Sequence, residues 1–259
     1  MQLTANLTLL FGDAPVAERL RAAHKAGFDA VEIQFPQDSD IAPLQAAMAD
    51  TGLPVVLINV PRGAGDEIGL PALPGREADF RAAVAHCAAQ ARALGVRKVN
   101  VLAGRPPADA DPAACRRALI ANLRHAGDVM GALGVQVMVE PVNPRDVPGF
   151  FLNALAPALS VLEEAAHPNL YLQFDLYHMA ITEPDLCAAL ARAGPRIGHV
   201  QFADMPGRHE PGTGGIDFAA ALAALRATGY RDAVSAEYHP GAGTEAGLGW
   251  MADFRKALA

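Results

Sequence analysis

Four polar residues punctuate otherwise apolar runs. Glu140 ends Val-Met-Val-Glu, Asp175 ends Leu-Gln-Phe-Asp, Gln201 stands within His-Val-Gln-Phe-Ala-Asp, and Glu237 ends Val-Ser-Ala-Glu. Alone, such a residue is ordinarily a strand-end group facing water; four on consecutive runs point to a site. In extended backbone alternate side chains share a face, which pairs Met138 with Glu140, Gln173 with Asp175, His199 with Gln201 and Ser235 with Glu237. Three carboxylates converging away from water repel one another unless protons or a cation compensate. Two Glu, one Asp and one amide carbonyl make an oxygen-rich set, which suits Mg²⁺ or Mn²⁺ better than zinc with its preference for His and Cys. The residue types give the class of metal and not its identity.

Secondary candidates surround this set. His178 follows Asp175 as D-x-x-H on the connection after the sixth run, where it either meets a substrate hydroxyl or carboxylate or simply packs. Arg208, beside His209 and Glu210, either holds a substrate carboxylate through a bidentate pair or is a solvated charge. Glu32, inside Val-Glu-Ile, is an inward hydrogen-bonding residue or an exposed alternate. Asn59 and Asn100 end their runs and are weaker candidates for the same mouth, His199 reads as a satisfied core histidine, and the lone GTGG at 212–215 reads as a turn.

The elements that position these residues follow from periodicity. Short β-branched or apolar runs at 3–7, 30–35, 55–60, 98–102, 136–140, 170–175, 197–202 and 234–238 are expected strands. Amphipathic segments near 15–26, 40–51, 77–94, 112–133, 154–166, 184–193, 217–228 and 245–257 are expected helices, one after each strand. Asp13 before Ala14-Pro15 and Thr182 before Glu183-Pro184 read as start signals, and Gly27, Gly52, Gly95, Gly134 and Gly229 as stops. Eight strand and helix units in alternation demand parallel strands, and predict an α/β fold, a single (β/α)₈ barrel domain over residues 1–259. An open doubly wound sheet is the runner-up, but no GxGxxG or GxxxxGK[ST] follows any strand. In such a barrel the C-terminal strand ends form the active-site mouth, which is where Glu140, Asp175, Gln201 and Glu237 fall.

Bulk properties agree. The chain has 259 residues, 51% of them hydrophobic, which excludes disorder and implies a sizeable core. With 21 basic against 28 acidic residues the net charge is -7, so a small molecule is a better partner than nucleic acid. Cys87, Cys115 and Cys187 form no CxxC pair and read as reduced thiols. No apolar stretch approaches a membrane span and the N-terminus lacks a basic leader, so a cytoplasmic protein with no membrane partner is expected. The assembly, homodimer or homotetramer, is left open.

Longer segments carry a resemblance. FDAVEIQFP at 28–36, VEPVNPRDVPGFFL at 139–152, QFDLYHM at 173–179, GHVQFADMPGRHEPGTGGI at 198–216 and AEYHPGAGTEAGLGW at 236–250, with ANLTLLFG at 5–12 and ALPGRE at 72–77, resemble the hydroxypyruvate isomerase family of the xylose-isomerase-like TIM barrel superfamily. The resemblance implies a metal-dependent isomerase that interconverts hydroxypyruvate and tartronate semialdehyde through an enediolate. It implies a metal site of Glu140, Asp175, Gln201 and Glu237, with Glu140 and Glu237 doubling as acid and base. His178 and Arg208 match substrate-contacting positions of related ketose epimerases, and Asp146 falls where those relatives place a further substrate-binding acid. Gln201 departs from the His that many superfamily members carry there. The alternatives are a 2-oxo-tetronate isomerase or a ketose 3-epimerase; a DNA-repair endonuclease of this fold would need more histidines, and a non-catalytic sugar-binding relative would have lost its acid/base pair.

Overall fold

The computed structural model describes residues 1–12, 14–36 and 41–258. The strands β1 (Gln2–Asn6), β2 (Ala30–Ile33), β3 (Val55–Asn59), β4 (Lys98–Val101), β5 (Gln136–Val139), β6 (Leu170–Asp175), β7 (Ile197–Phe202) and β8 (Ala233–Ala236) each lie within two residues of the expected ends. Each pairs in parallel with its sequence neighbours, and β1 also pairs with β8, closing the barrel. Around it stand α1 (Val16–Ala26), α2 (Ile41–Thr51), α3 (Glu77–Leu94), α4 (Pro112–Gly131), α5 (Leu155–Ala165), α6 (Leu176–Thr182), α7 (Leu186–Ala193), α8 (Phe218–Ala227) and α9 (Met251–Leu258). None of the described helices is long and apolar enough to cross a membrane.

Local chemistry explains the boundaries and three departures from expectation. Asp111 caps α4 by accepting from Ala113 N at 3.0 Å and Ala114 N at 3.1 Å, with Pro112 in the first turn. The five stop glycines adopt φ between 64° and 90°, which side chains with a Cβ resist. One helix per strand fails after β6, where α6 and α7 both occur. Leu-Tyr-His-Met-Ala-Ile-Thr buries Leu176 through Met179 in succession and so shows no amphipathic stripe. Thr182 therefore ends α6, and the true start signal is Asp185, which accepts from Ala188 N at 3.0 Å. The last expected helix divides into a 3₁₀ stretch, Glu245–Trp250, and α9, consistent with Gly247 and Gly249 in the first half. Asp13 and residue 40 lie outside the described residues. Cys87, Cys115 and Cys187 are free thiols.

The apolar core lies outside the barrel, between strands and helices. Val31, Val99, Val137, Leu172, Val200 and Val234 are buried there with Leu20, Leu44, Phe80, Leu119 and Leu222 from the helices. Near β7, the Phe202 ring stacks on Phe254 at 4.3 Å, with Trp250 edge-on at 5.3 Å and Phe218 at 5.9 Å, which fastens α8 and α9. The inside differs: Thr4, Asn6, Glu32, Asn100, Gln173, His199, Gln201 and Ser235 are buried polar residues. Barrel interiors are ordinarily filled by Val, Ile and Leu, so this filling marks the interior as built for something other than packing.

Candidate active site

The C-terminal mouth holds a cavity of about 190 Å³ lined by Gln34, Glu140, His178, Gln201, Arg208 and Glu237 among others. That is smaller than the roughly 300–1,000 Å³ of drug-sized sites, so a ligand of a few carbons fits. A larger hollow of about 380 Å³ between α8 and α9 is lined by Phe218, Trp250 and Phe254 and gathers no comparable cluster of ionisable groups.

Each carboxylate is held by the element below it. Asp175 ends β6 and caps α6: its Oδ1 accepts from Tyr177 N at 2.8 Å, which turns Oδ2 into the mouth, buried and without a hydrogen-bond partner. Glu140, just past β5, accepts from Asn100 Nδ2 at 2.7 Å. Glu237, just past β8, accepts from Gln34 Nε2 and Arg208 Nη2, both at 2.7 Å. Arg208 also lies 3.5 Å from Asp175 Oδ2 and 5.3 Å over the Tyr177 ring. It reaches inward from a strained backbone, φ 56°, in a loop pinned by Asp204, which accepts from Gly212 N at 2.8 Å, Gly214 N at 2.9 Å and Ile216 N at 3.0 Å. Of its two sequence readings, Arg208 is thus not the solvated charge: it is paired inward with Glu237 and Asp175.

His178, expected on a loop, is buried on α6 because Asp175 starts a helix there. Asn143 Oδ1 accepts from Arg145 N and Asp146 N, so its amide group faces His178 and donates to Nδ1 at 2.6 Å. That places the imidazole proton on Nε2, 3.5 Å from Asp175 Oδ2 and 3.9 Å from Glu140 Oε1. Asp146 accepts from the same Asn143 amide at 3.1 Å and reaches the site through it rather than lining the cavity.

The electrostatics follow from crowding in a dry place. Burial, with Asp175 beside it, pushes Glu140 up to about 8, against the pull of Asn100, Arg208 and Gln173. Burial raises Glu237 well above the usual carboxylate range against the relief from Arg208, and Asp175 and Glu140 push the same way as burial. His178 is lowered to about 4, chiefly by burial, and is neutral at pH 7. Burial alone would lower Arg208, but Glu237, Asp175 and Glu140 raise it.

Among the described residues, Glu140, Asp175 and His178 bring ligand-type atoms within 4.8 Å of one another, a buried cluster able to hold a metal; with the proton on His178 Nε2 the two carboxylates are its donors. The unpartnered Asp175 oxygen and the two glutamates driven toward protonation are what a divalent cation would relieve, and the oxygen donors fit a hard one. Gln201 and Glu237, also expected as ligands, point into the same cavity; Gln201 Oε1 accepts from Gln173 Nε2 at 2.7 Å and Glu237 is occupied by Arg208. Gln34, Gln173, Asn143 and Arg62 escaped the sequence reading as site residues. Gln34 had a usable signal, a polar residue just past a strand end; Gln173 shares Asp175's face; Arg62 had none.

This is an acid-rich mouth on a closed parallel barrel, the arrangement of a small-molecule enzyme. The chain belongs to the xylose isomerase-like TIM barrel family, whose model matches residues 20–254. It is 40% identical over 252 residues to the 2-oxo-tetronate isomerase of Cupriavidus necator, covering 96% of this chain and 97% of that one. It is 38% identical over 257 residues to the hydroxypyruvate isomerase of Escherichia coli, covering 98% and 100%. A solved structure from Brucella melitensis, described as an AP endonuclease, family 2, superposes with a TM-score of 0.94 at 36% identity over 98% of each chain.

Proposed function

We propose that the protein is a metal-dependent isomerase of short sugar acids, interconverting hydroxypyruvate and tartronate semialdehyde through an enediolate. The carrying observation is the pair of buried glutamates at one small cavity, Glu140 from β5, pushed up to about 8, and Glu237 from β8, raised well above the usual carboxylate range. A group that takes and returns a proton works best with its pKa near the operating pH.

A divalent cation held by Glu140, Asp175, Gln201 and Glu237, Mg²⁺ or Mn²⁺, would supply Lewis-acid stabilisation of the negative oxygen that develops. One of the two glutamates removes the C3 proton of hydroxypyruvate, the bonding pair entering the enediolate, and a proton returned to C2 completes the isomerisation. The hydroxyl proton moves from the C3 oxygen to the C2 oxygen. His178, neutral with its proton on Nε2, donates to a substrate oxygen without bringing a charge, and Asn143 fixes that tautomer. Arg208 holds Glu237 in place and contributes a positive field. The substrate carboxylate falls to Arg62, which lines the cavity rim with its guanidinium 4.9 Å over the Phe35 ring and no acidic partner among the described residues.

A four-carbon substrate is the second reading, favoured by the 40% identity to a 2-oxo-tetronate isomerase. A nuclease is not supported by a metal-competent cluster with a single histidine and a net charge of -7. The test is a panel of hydroxypyruvate, 2-oxo-tetronate and free ketoses with stripped enzyme reconstituted by Mg²⁺ or Mn²⁺, beside Glu140→Gln and Glu237→Gln. Hydroxypyruvate should turn over fastest, and each variant should lose at least the roughly 10²–10⁴-fold that a proton-transfer group contributes. Preference for the four-carbon acid promotes the second reading; metal-independent turnover, or near-normal activity of either variant, removes the mechanism.

A further inference from the structure

Below the mouth lies a buried carboxylate that the reaction does not use. Glu32, on β2, has no exposed surface, and three donors converge on it: Asn6 Nδ2 at 2.7 Å and Gln201 Nε2 at 2.6 Å on Oε1, and His199 Nε2 at 2.7 Å on Oε2. An ionised carboxylate only accepts, whereas an amide accepts at one end and donates at the other. Gln201 must therefore present its NH₂ group to Glu32 and turn its carbonyl oxygen away from it. Gln173 meets that oxygen with its own Nε2 at 2.7 Å, and the Gln173 side chain also hydrogen-bonds Glu140. One fixed acceptor thus sets the direction of two amides in series. A carbonyl oxygen has two lone pairs, so Gln201 keeps one after serving Gln173.

We propose that Glu32 is a positioning residue that locks Gln201 with its carbonyl oxygen facing the barrel mouth, making that oxygen a ligand for the divalent cation. The proposal rests on reading Gln201 as a ligand. Without an acceptor at position 32, Gln201 is free to rotate its NH₂ group toward the cation, where it repels instead of binding. Hydrogen-bond partners that orient a metal ligand typically contribute roughly 10–100-fold in affinity.

The experiment measures Mn²⁺ affinity calorimetrically, with thermal melting, for stripped wild-type enzyme, Gln201→Ala, Glu32→Gln and Glu32→Met. Glu32→Gln can keep its oxygen toward Gln201 and turn its NH₂ to His199, whose Nδ1 is buried without a partner and so can take the proton. Its Kd should stay within about threefold of wild type, whereas Glu32→Met, similar in bulk but with no acceptor, should weaken binding roughly 10–100-fold. An unchanged Kd in Gln201→Ala sinks the ligand reading itself. A weakened Gln201→Ala beside a folded Glu32→Met that binds like wild type sinks the role of Glu32 alone. Because Glu32→Met leaves three donors buried and can fail to fold, a crystal structure of the Mn²⁺-loaded wild type decides independently. Gln201 Oε1 on the ion with Nε2 still on Glu32 supports the proposal; an ion bound without Gln201, or a broken Glu32–Gln201 bond, overturns it.

Discussion

Loading the stripped enzyme with Mg²⁺ should expel protons, and the count follows from the site. With Glu140 at about 8, its carboxyl is ~0.9 protonated at pH 7 and ~0.1 protonated at pH 9. Glu237 is raised too, by burial and against the pull of Arg208, and any proton it holds adds to that count. A carboxylate must be ionised to bind a cation, so at least about one proton leaves per ion at pH 7, and Glu140's share falls by ~0.8 at pH 9. By linkage, affinity should tighten by at least roughly tenfold per pH unit near pH 7 and flatten as Glu140 becomes ionised in the free protein. Titration calorimetry in buffers of different ionisation enthalpy gives the proton count directly as a slope. Mg²⁺ binding that releases no proton at pH 7, or a count that does not fall between pH 7 and 9, refutes the picture of carboxylates held neutral by burial and mutual repulsion.

Two further outcomes are expected. The stability of the stripped protein should fall by roughly 1.6 kcal/mol between pH 6.5 and 8 from Glu140 alone. A folded pKa of about 8 above an unfolded 4.5 means that the native state binds the extra proton, so stability declines as pH rises through this window. His178, lowered to about 4 from 6.5, acts oppositely but mainly below pH 6.5, offsetting only a minor part of the decline above it. Chemical denaturation at both pH values checks this: Glu237, also raised, adds a decline of its own, so it is an undiminished decline in Glu140→Gln that shows the wrong group was credited. Arg62→Met should raise KM for the 2-oxo acid roughly 10–100-fold, the worth of a charge-assisted hydrogen bond, with kcat changed little. Steady-state kinetics that show an unchanged KM place the carboxylate elsewhere.

Much of this was legible in the sequence, for identifiable reasons. The barrel announces itself because each strand is a short apolar run and many of the helices carry a capping Asp or a closing glycine, signals that operate within a few residues. Glu140, Asp175, Gln201 and Glu237 stand out because a polar residue that ends an apolar run is conspicuous locally. Glu32 was visible only as an alternative, since its role depends on Gln201, 169 residues away, and on a register that no local pattern encodes. Helix α6 was hidden by burial on every side, which erases amphipathicity. The inward reach of Arg208 depends on a left-handed residue held by Asp204's grip on a loop, a property of the assembled turn rather than of the residue.

The polar interior implies a division of labour between the two sides of the barrel wall. Filling the inside with Glu32, His199, Gln173, Gln201 and Asn100 forgoes the Val, Ile and Leu packing that ordinarily stabilises this fold, and leaves Thr4 Oγ1, Ser235 Oγ and His199 Nδ1 buried without partners. Glu140 and Glu237 add further cost by remaining near Asp175 in a dry site. Cohesion must therefore come from the outer layer, where the helices press apolar side chains onto the outward faces of the strands and the Phe202, Phe218, Trp250 and Phe254 cluster seals the β7 side. A rigid outer layer lets the inner one keep groups in protonation states and amide orientations that water would not allow. Any ligand that neutralises the mouth then adds stability by mass action, in proportion to its occupancy of the native state. Folding strength and catalytic readiness are thus carried largely by opposite faces of the same eight strands.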